Sequence, residues 1–375
     1  MADSRTHSPA RAADSCLIAV GTYTRPMPHV HGVGRGIHML RFDAATAALS
    51  ELRVHSHSVN PSYLCHSAFH GLLYSVSELD EGASIDVYAV EGSATLRHLR
   101  NVPTPGASPC HISLTPAADR LYVSNYGSGE LLSYRLDGQG LPLSPPDIIV
   151  RHGSGPRSDR QAGPHVHCAQ PSPSGDAVYL CDLGTDSVAR HALQDGALDL
   201  RPDLQLQIGP GSGPRHLRLN PSDTLAFVLN ELSNSVIAVQ LPTASDPRTR
   251  TLARLRTLPA DWHNANSASA LCLHPSGRWL YATNRGHDSV AGFRILDRAP
   301  WLEPIGWWPA GGRTPRDAAI TPDGGFLLVA SQDEHRISCL RIDPDSGRLQ
   351  TAGLPFTIPS PACVLPLLQK GTPRP

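Results

Sequence analysis

Lysine is almost missing from this chain. Of its 32 basic residues only Lys370 is a lysine, and it stands among Pro and Gly near the end. That excludes Schiff-base catalysis and a Walker phosphate loop. Charge of one sign is missing too: the net formal charge is −1 with no long run of either sign, so the electrostatic footprint of a nucleic-acid or anionic-membrane binder is absent. No stretch approaches the roughly 18 apolar residues of a membrane span, and the opening MADSRTHSPARAADS has no apolar h-region, so a cytoplasmic location is expected. There is no Cys-X-X-Cys pair. The eight cysteines are scattered through apolar stretches and are expected to be reduced, buried, small hydrophobes. A Gly-X-Ser-X-Gly elbow is also absent, which argues against a serine-hydrolase triad.

What the chain does have is turns. Its 32 Gly and 35 Pro are spread evenly, and the apolar segments between them are short and alternate, the pattern of strands rather than helices. Six segments share a pattern of turn, then apolar-Tyr-apolar: HSAFHGLLYSVSE, LTPAADRLYVSNYG, PSPSGDAVYLCDLG, LNPSDTLAFVLNEL, HPSGRWLYATNRG and TPDGGFLLVASQD, and CLIAVGTYT near the start makes a seventh. Their central positions, Ile18, Tyr74, Tyr122, Tyr179, Phe227, Tyr281 and Leu328, recur about every 50 residues, close to the period of propeller blades. A second motif precedes each copy, from PSYLCHS at Pro61 to TPRDAAI at Thr314, and reads as the innermost strand. The seventh inner strand, SPACVLPL from Ser360, comes at the far end, whereas its partner CLIAVGTYT opens the chain. The expected fold is therefore all-β, a seven-bladed β-propeller of four-stranded antiparallel blades over residues 16–366, with the first and last segments closing one blade and leaving no open seam. Residues 1–15 are expected to be a disordered extension and 367–375 a tail.

In a propeller, polar residues at the ends of the two inner strands converge at a mouth of the central channel. The aligned inner-strand sites include Tyr63, His111, His165/His167, Arg215 and Arg316/Asp317. Those after the second strand are Thr22, Glu78, Tyr126, Leu183, Glu231, Arg285 and Gln332. Arg, His and Glu gather between the third and sixth blades, and guanidinium forks suit carboxylate or phosphate. His165 and His167, two apart, would face the same way along a regular strand. Asp182, Asp186 and Asp288 are expected to form turns rather than act as acids.

The segments GTYT (21–24), NPSYL (60–64), RQAGPHVH (160–167), DLGTDSV (182–188), GSGPRHL (211–217), NELSNSV (230–236), NRGHDSV (284–290) and TPRDAAI (314–320), in this order, resemble the lactonase-type seven-bladed propellers. That family includes the propeller form of 6-phosphogluconolactonase and the fungal carboxymuconate lactonizing enzyme. The resemblance implies an active site built from His167, Arg215, Glu231 and Arg285, joined by Arg316, with His165 and Gln332 as further substrate-binding positions. It also implies no cofactor and no metal, and a small anionic lactone as the substrate. The implied reaction is hydrolysis of 6-phosphogluconolactone in the oxidative pentose phosphate route, with Glu231 or His167 as general base and the arginines on the substrate anion. Cyclisation of a carboxymuconate, or a non-catalytic interaction scaffold, are the alternatives. Glu231→Gln is expected to abolish hydrolysis while leaving the thermal midpoint nearly unchanged. The insert RPMPHVHGVGRG (25–36) departs from the family pattern and reads as either a lid or a longer outer loop. Monomer and dimer both remain open.

Overall fold

The computed structural model describes residues 15–92, 94–194 and 196–368. The expected N-terminal extension up to residue 14 and tail residues 369–375 lie outside the described residues. Among the described residues, twenty-nine strands and no helix make seven antiparallel sheets arranged as a seven-bladed propeller. The inner strands, numbered here by blade, are Leu64–Ser67, Pro109–Leu114, Val166–Pro171, Pro214–Leu219, Ser267–Leu273, Pro315–Ile320 and Pro361–Pro366. Six sheets have four strands. The third gains a two-residue fifth, Ala197–Leu198, because its strand Ser187–Gln194 runs past the pairing with Leu204–Gln207 and folds back on its own far end.

The seventh blade is closed by both ends of the chain. Pro361–Pro366 pairs antiparallel with Ser15–Thr22, Val364 opposite Val20, and the Leu367 N–H donates to Leu17 O at 2.8 Å. Ordered pairing thus reaches one residue beyond the expected range at each end.

Alternation does unusual work in this fold. Every residue of Leu72–Ser77 and of Ala177–Asp182 is buried, because each middle strand is sandwiched between neighbouring blades. Its period of two therefore sorts side chains between two apolar interfaces rather than between core and water. In Ser15–Thr22, Ile18 and Val20 pack against Leu328 and Ala330 of blade six, while Ala19 packs against Leu64 and Leu73 of blade one. The repeated tyrosine has a polar reason as well. The Tyr74 and Tyr281 hydroxyls donate at 2.7 Å to Gly140 O and Gly347 O in turns of the following blade, satisfying a buried hydroxyl where two blades meet.

The recurrent Asp/Asn-Ser-Val is a latch between blades. Asp186, Asn234 and Asp288 each take a positive φ, near 50°, which Asp and Asn tolerate better than other non-glycine residues. Each side chain then accepts backbone N–H groups of the next blade: Asp186 from Gly211 and Gly213, Asn234 from Ala268, Asp288 from Thr314. Among the described residues no disulfide joins any of the eight cysteines, and six of them are buried.

Candidate functional site

Four inner strands break register at the same place, one residue after their start. The shifts fall between Pro109 and His111, Val166 and Cys168, Pro214 and His216, and Pro315 and Asp317. A bulge leaves its extra residue unpaired and re-aims that side chain. The residues freed here are Cys110, His167, Arg215 and Arg316, and all four line one cavity of about 560 Å³. The positions just past the second strands add Glu78, Tyr126 and Glu231, and Arg285 ends its own second strand. Arg160 enters from the loop before the third inner strand. Outer ends of strands from blades one to six thus meet at one channel mouth.

At the centre of one wall is Glu231, which is buried. Arg160 Nη2 donates to its Oε1 at 2.7 Å. Arg215 Nε and Arg285 Nη2 each lie 3.0 Å from its Oε2. The Arg215 contact is ionic only: that N–H is not aligned on the carboxylate and has no hydrogen-bond partner, although it is buried. Burial opposes ionisation of Glu231, but Arg285, Arg215 and Arg160 outweigh it and hold the carboxyl far below its usual range. That grip is the reverse of what a general base needs. Burial, opposed by Glu231, brings the Arg285 guanidinium down to about 10.

A second group faces it. The buried Tyr23 hydroxyl donates to Glu78 Oε2 at 2.8 Å, Arg316 lies over the Tyr23 ring at 4.9 Å, and Arg316 Nη2 is 4.0 Å from Glu78. His29 Nε2 sits 3.3 Å from the Tyr23 hydroxyl and 3.9 Å from Glu78. Burial, then Arg316, pull the His29 imidazole down to about 4. His167, between the two groups, is held well below the ordinary histidine value, first by burial and then by Arg215. It is a neutral imidazole at physiological pH, with Nδ1 3.7 Å from the Cys110 sulfur.

The insert is neither detached nor merely peripheral: Met27, Pro28 and His29 form part of the cavity wall. It holds together by backbone pairing of Met27 with Val30, and Gly34 N donates to Tyr23 O at 2.7 Å. A Cβ on Gly34 would lie 2.7 Å from that same oxygen and 2.3 Å from Thr22 Oγ1, so only glycine permits this approach.

His167, Arg215, Glu231, Arg285 and Arg316 are therefore brought together, and His165 and Gln332 are not. His165 precedes its strand and the bulge at His167 breaks the alternation, so the two imidazoles do not share a face. The His165 ring stacks on Tyr126 at 4.4 Å, with Nδ1 against Tyr126 O at 2.8 Å. Gln332 is buried and turns its amide to Asp333 at 2.9 Å. Arg160 and Tyr23 were not singled out by sequence reasoning, although they stand inside the motifs RQAGPHVH and GTYT. Glu78 occupies the same aligned position as Glu231. A larger open groove of about 720 Å³ lies between blades three and four, but its Arg190 is spent on Asp176 and Asp203, which leaves the channel mouth as the site with convergent charge.

The family described as lactonase, 7-bladed beta-propeller, matches residues 17–366. A 6-phosphogluconolactonase of Bacillus subtilis is 31% identical over 347 residues, covering 92% of this chain and 96% of its own. An uncharacterised protein of Lactococcus lactis is 33% identical over 351 residues, covering 93% and 99%. The solved structure of a periplasmic gluconolactonase of Pseudomonas aeruginosa superposes with a TM-score of 0.84 at 27% identity, covering 96% of this chain and 100% of that one.

Proposed function

This chain belongs to the lactonase family of seven-bladed β-propellers, and from that premise we propose that it hydrolyses a sugar-acid lactone, 6-phosphogluconolactone above all, at the mouth of its channel. The observation that carries this reading is the charge of the cavity. Four guanidiniums, Arg160, Arg215, Arg285 and Arg316, line it against three carboxylates, Glu78, Asp80 and Glu231, and one of those carboxylates is already shared by three of the arginines. The surplus is positive and suits an anionic substrate.

Hydrolysis needs a water added to the lactone carbonyl, a donor for the oxyanion that forms, and a proton returned to the ring oxygen as its bond to the carbonyl carbon breaks. In this reading the neutral His167 takes the proton of the attacking water and hands it to the departing ring oxygen. The unpartnered Arg215 N–H meets the oxyanion, and Arg285 with Arg316 holds the substrate's anionic group. Glu231 positions the arginines and takes no proton. A lactone is an activated ester, so such help at a level of roughly 10²- to 10⁴-fold suffices. Eight cysteines that form no disulfide suit a reducing cytoplasm as the setting.

The test is an assay of 6-phosphogluconolactone, unphosphorylated gluconolactone and carboxymuconate, each against its spontaneous rate. The reading expects the phosphorylated lactone to give the highest kcat/KM. The name of the Pseudomonas relative favours unphosphorylated gluconolactone as a second reading, which a preference for that substrate would establish. Turnover of carboxymuconate alone would refute hydrolysis.

A further inference from the structure

On the outer rim of blade one, away from the cavity, two imidazoles from separate segments converge on one carboxylate oxygen. Asp86 is buried in the strand Ser84–Glu91. Its Oδ1 lies 3.0 Å from Nε2 of His98 on the neighbouring strand Thr95–Pro103, and 4.0 Å from Nε2 of His57, which precedes the inner strand. The two imidazoles overlap, with ring centroids 3.9 Å apart, and the three ligand atoms lie within 4.8 Å of one another. The carboxylate is fixed from behind: the Ser58 hydroxyl donates to Oδ2 at 2.6 Å and Asn101 Nδ2 to Oδ1 at 2.8 Å. Such outer partners are what orient a metal-ligating carboxylate. His57 is 56% exposed, which leaves the cluster open to an entering ion.

We propose that His57, Asp86 and His98 form a binding site for a zinc ion. Two imidazole nitrogens and one carboxylate oxygen are a zinc-type set, whereas calcium takes six or more oxygens and Cu(I) selects sulfur, of which the cluster has none. Zinc bonds of about 2.0–2.2 Å place tetrahedral ligand atoms roughly 3.4 Å apart, and the observed 3.0 and 4.0 Å bracket that separation. A small swing of the exposed His57 ring closes the wider gap. On binding, the neutral His98 imidazole carries its single proton on Nδ1, which leaves the Nε2 lone pair for the ion in place of the hydrogen bond to Asp86, and a water completes the shell.

The site is placed to matter for the cavity without belonging to it. Three residues beyond His57, Asn60 Oδ1 accepts the N–H groups of Thr24 at 2.8 Å and Arg25 at 2.9 Å, the root of the loop that carries His29. A metal on His57 therefore stiffens the segment that anchors the cavity wall.

The experiment is titration of the metal-free full-length chain with ZnCl2 against a chromophoric chelator, paired with thermal melts with and without zinc. One site per chain of micromolar affinity or tighter is expected, together with a zinc-dependent rise in the midpoint. His57→Gln and His98→Gln should each weaken that site tenfold or more and remove the rise. His152→Gln, at an exposed histidine elsewhere, should leave both intact. His57 is exposed, so its variant should melt like the parent when zinc is absent. A parent chain with no such site, a site that survives His57→Gln, or a site lost only with Glu78→Gln in the cavity would each overturn the proposal.

Discussion

Glu231→Gln keeps the shape of the cavity wall but removes the anion that three guanidiniums share, at 2.7, 3.0 and 3.0 Å. Taking one partner from a buried ion pair costs about 3–5 kcal/mol. Two of the arginine side chains are 33% and 18% exposed, so water screens part of the loss. The glutamine oxygen still accepts a hydrogen bond, and a cost of about 2–4 kcal/mol remains. With an unfolding entropy near 2.1 cal/mol/K per residue over some 350 ordered residues, the midpoint should fall by roughly 3–5 °C at pH 7. This replaces the expectation from sequence of an unchanged midpoint: a solvated catalytic base can be lost cheaply, a buried counter-ion cannot. The sign with pH follows from the depressed carboxyl of the folded state. Its stabilisation is complete above the unfolded carboxyl value, near 4.5, and drains away as pH falls toward the folded one. Melts of parent and variant at pH 7 and pH 3.5 should show a gap that narrows in acid. Coincident midpoints at pH 7, or a gap of the same size at both, would refute the buried-anchor reasoning. Activity should fall through KM as well as kcat, since the arginines lose their common anchor.

Other outcomes follow from the same geometry. His167→Gln should lower kcat by about 10²- to 10⁴-fold. The acid limb of kcat/KM in the parent should lie well below pH 6.5, because burial and Arg215 keep the imidazole neutral; a limb at or above 6.5 would remove His167 as the base. Arg316→Met, which takes the cation from above Tyr23, should raise KM tenfold or more in steady-state assays with a smaller change in kcat. Gly34→Ala forces the insert off Tyr23 and should raise KM several-fold while the thermal midpoint moves little. Phe227→Ala, in the fully buried interface with blade five, should cost about 3–5 kcal/mol in urea unfolding with KM unchanged.

The propeller was legible in the sequence because its signals are local. A turn and an apolar run centred on Tyr, Phe, Leu or Ile recur blade by blade, an Asp/Asn-Ser-Val recurs in three blades, and the order of motifs already required Ser15–Thr22 to meet Pro361–Pro366. The motif residues Arg215, Glu231 and Arg285 stood out for the same reason, as charges at aligned positions where several other blades carry neutral side chains. Arg160 and Tyr23 were hidden within motifs that fix backbone as well as side chains, and His29 within an insert without counterpart in the other blades.

Residue order by itself determined the blade count, the closure by both termini and the strand ends that face the channel, since each rests on periodicity and turn chemistry along the chain. Only the tertiary structure decided which side chains enter the cavity and what each can do there. A one-residue bulge turns Cys110, His167, Arg215 and Arg316 inward where simple alternation would pair His165 with His167, and three guanidiniums from separate segments turn Glu231 from a candidate base into a fixed anion. Both are products of register and proximity between blades, and neither is encoded at any single position.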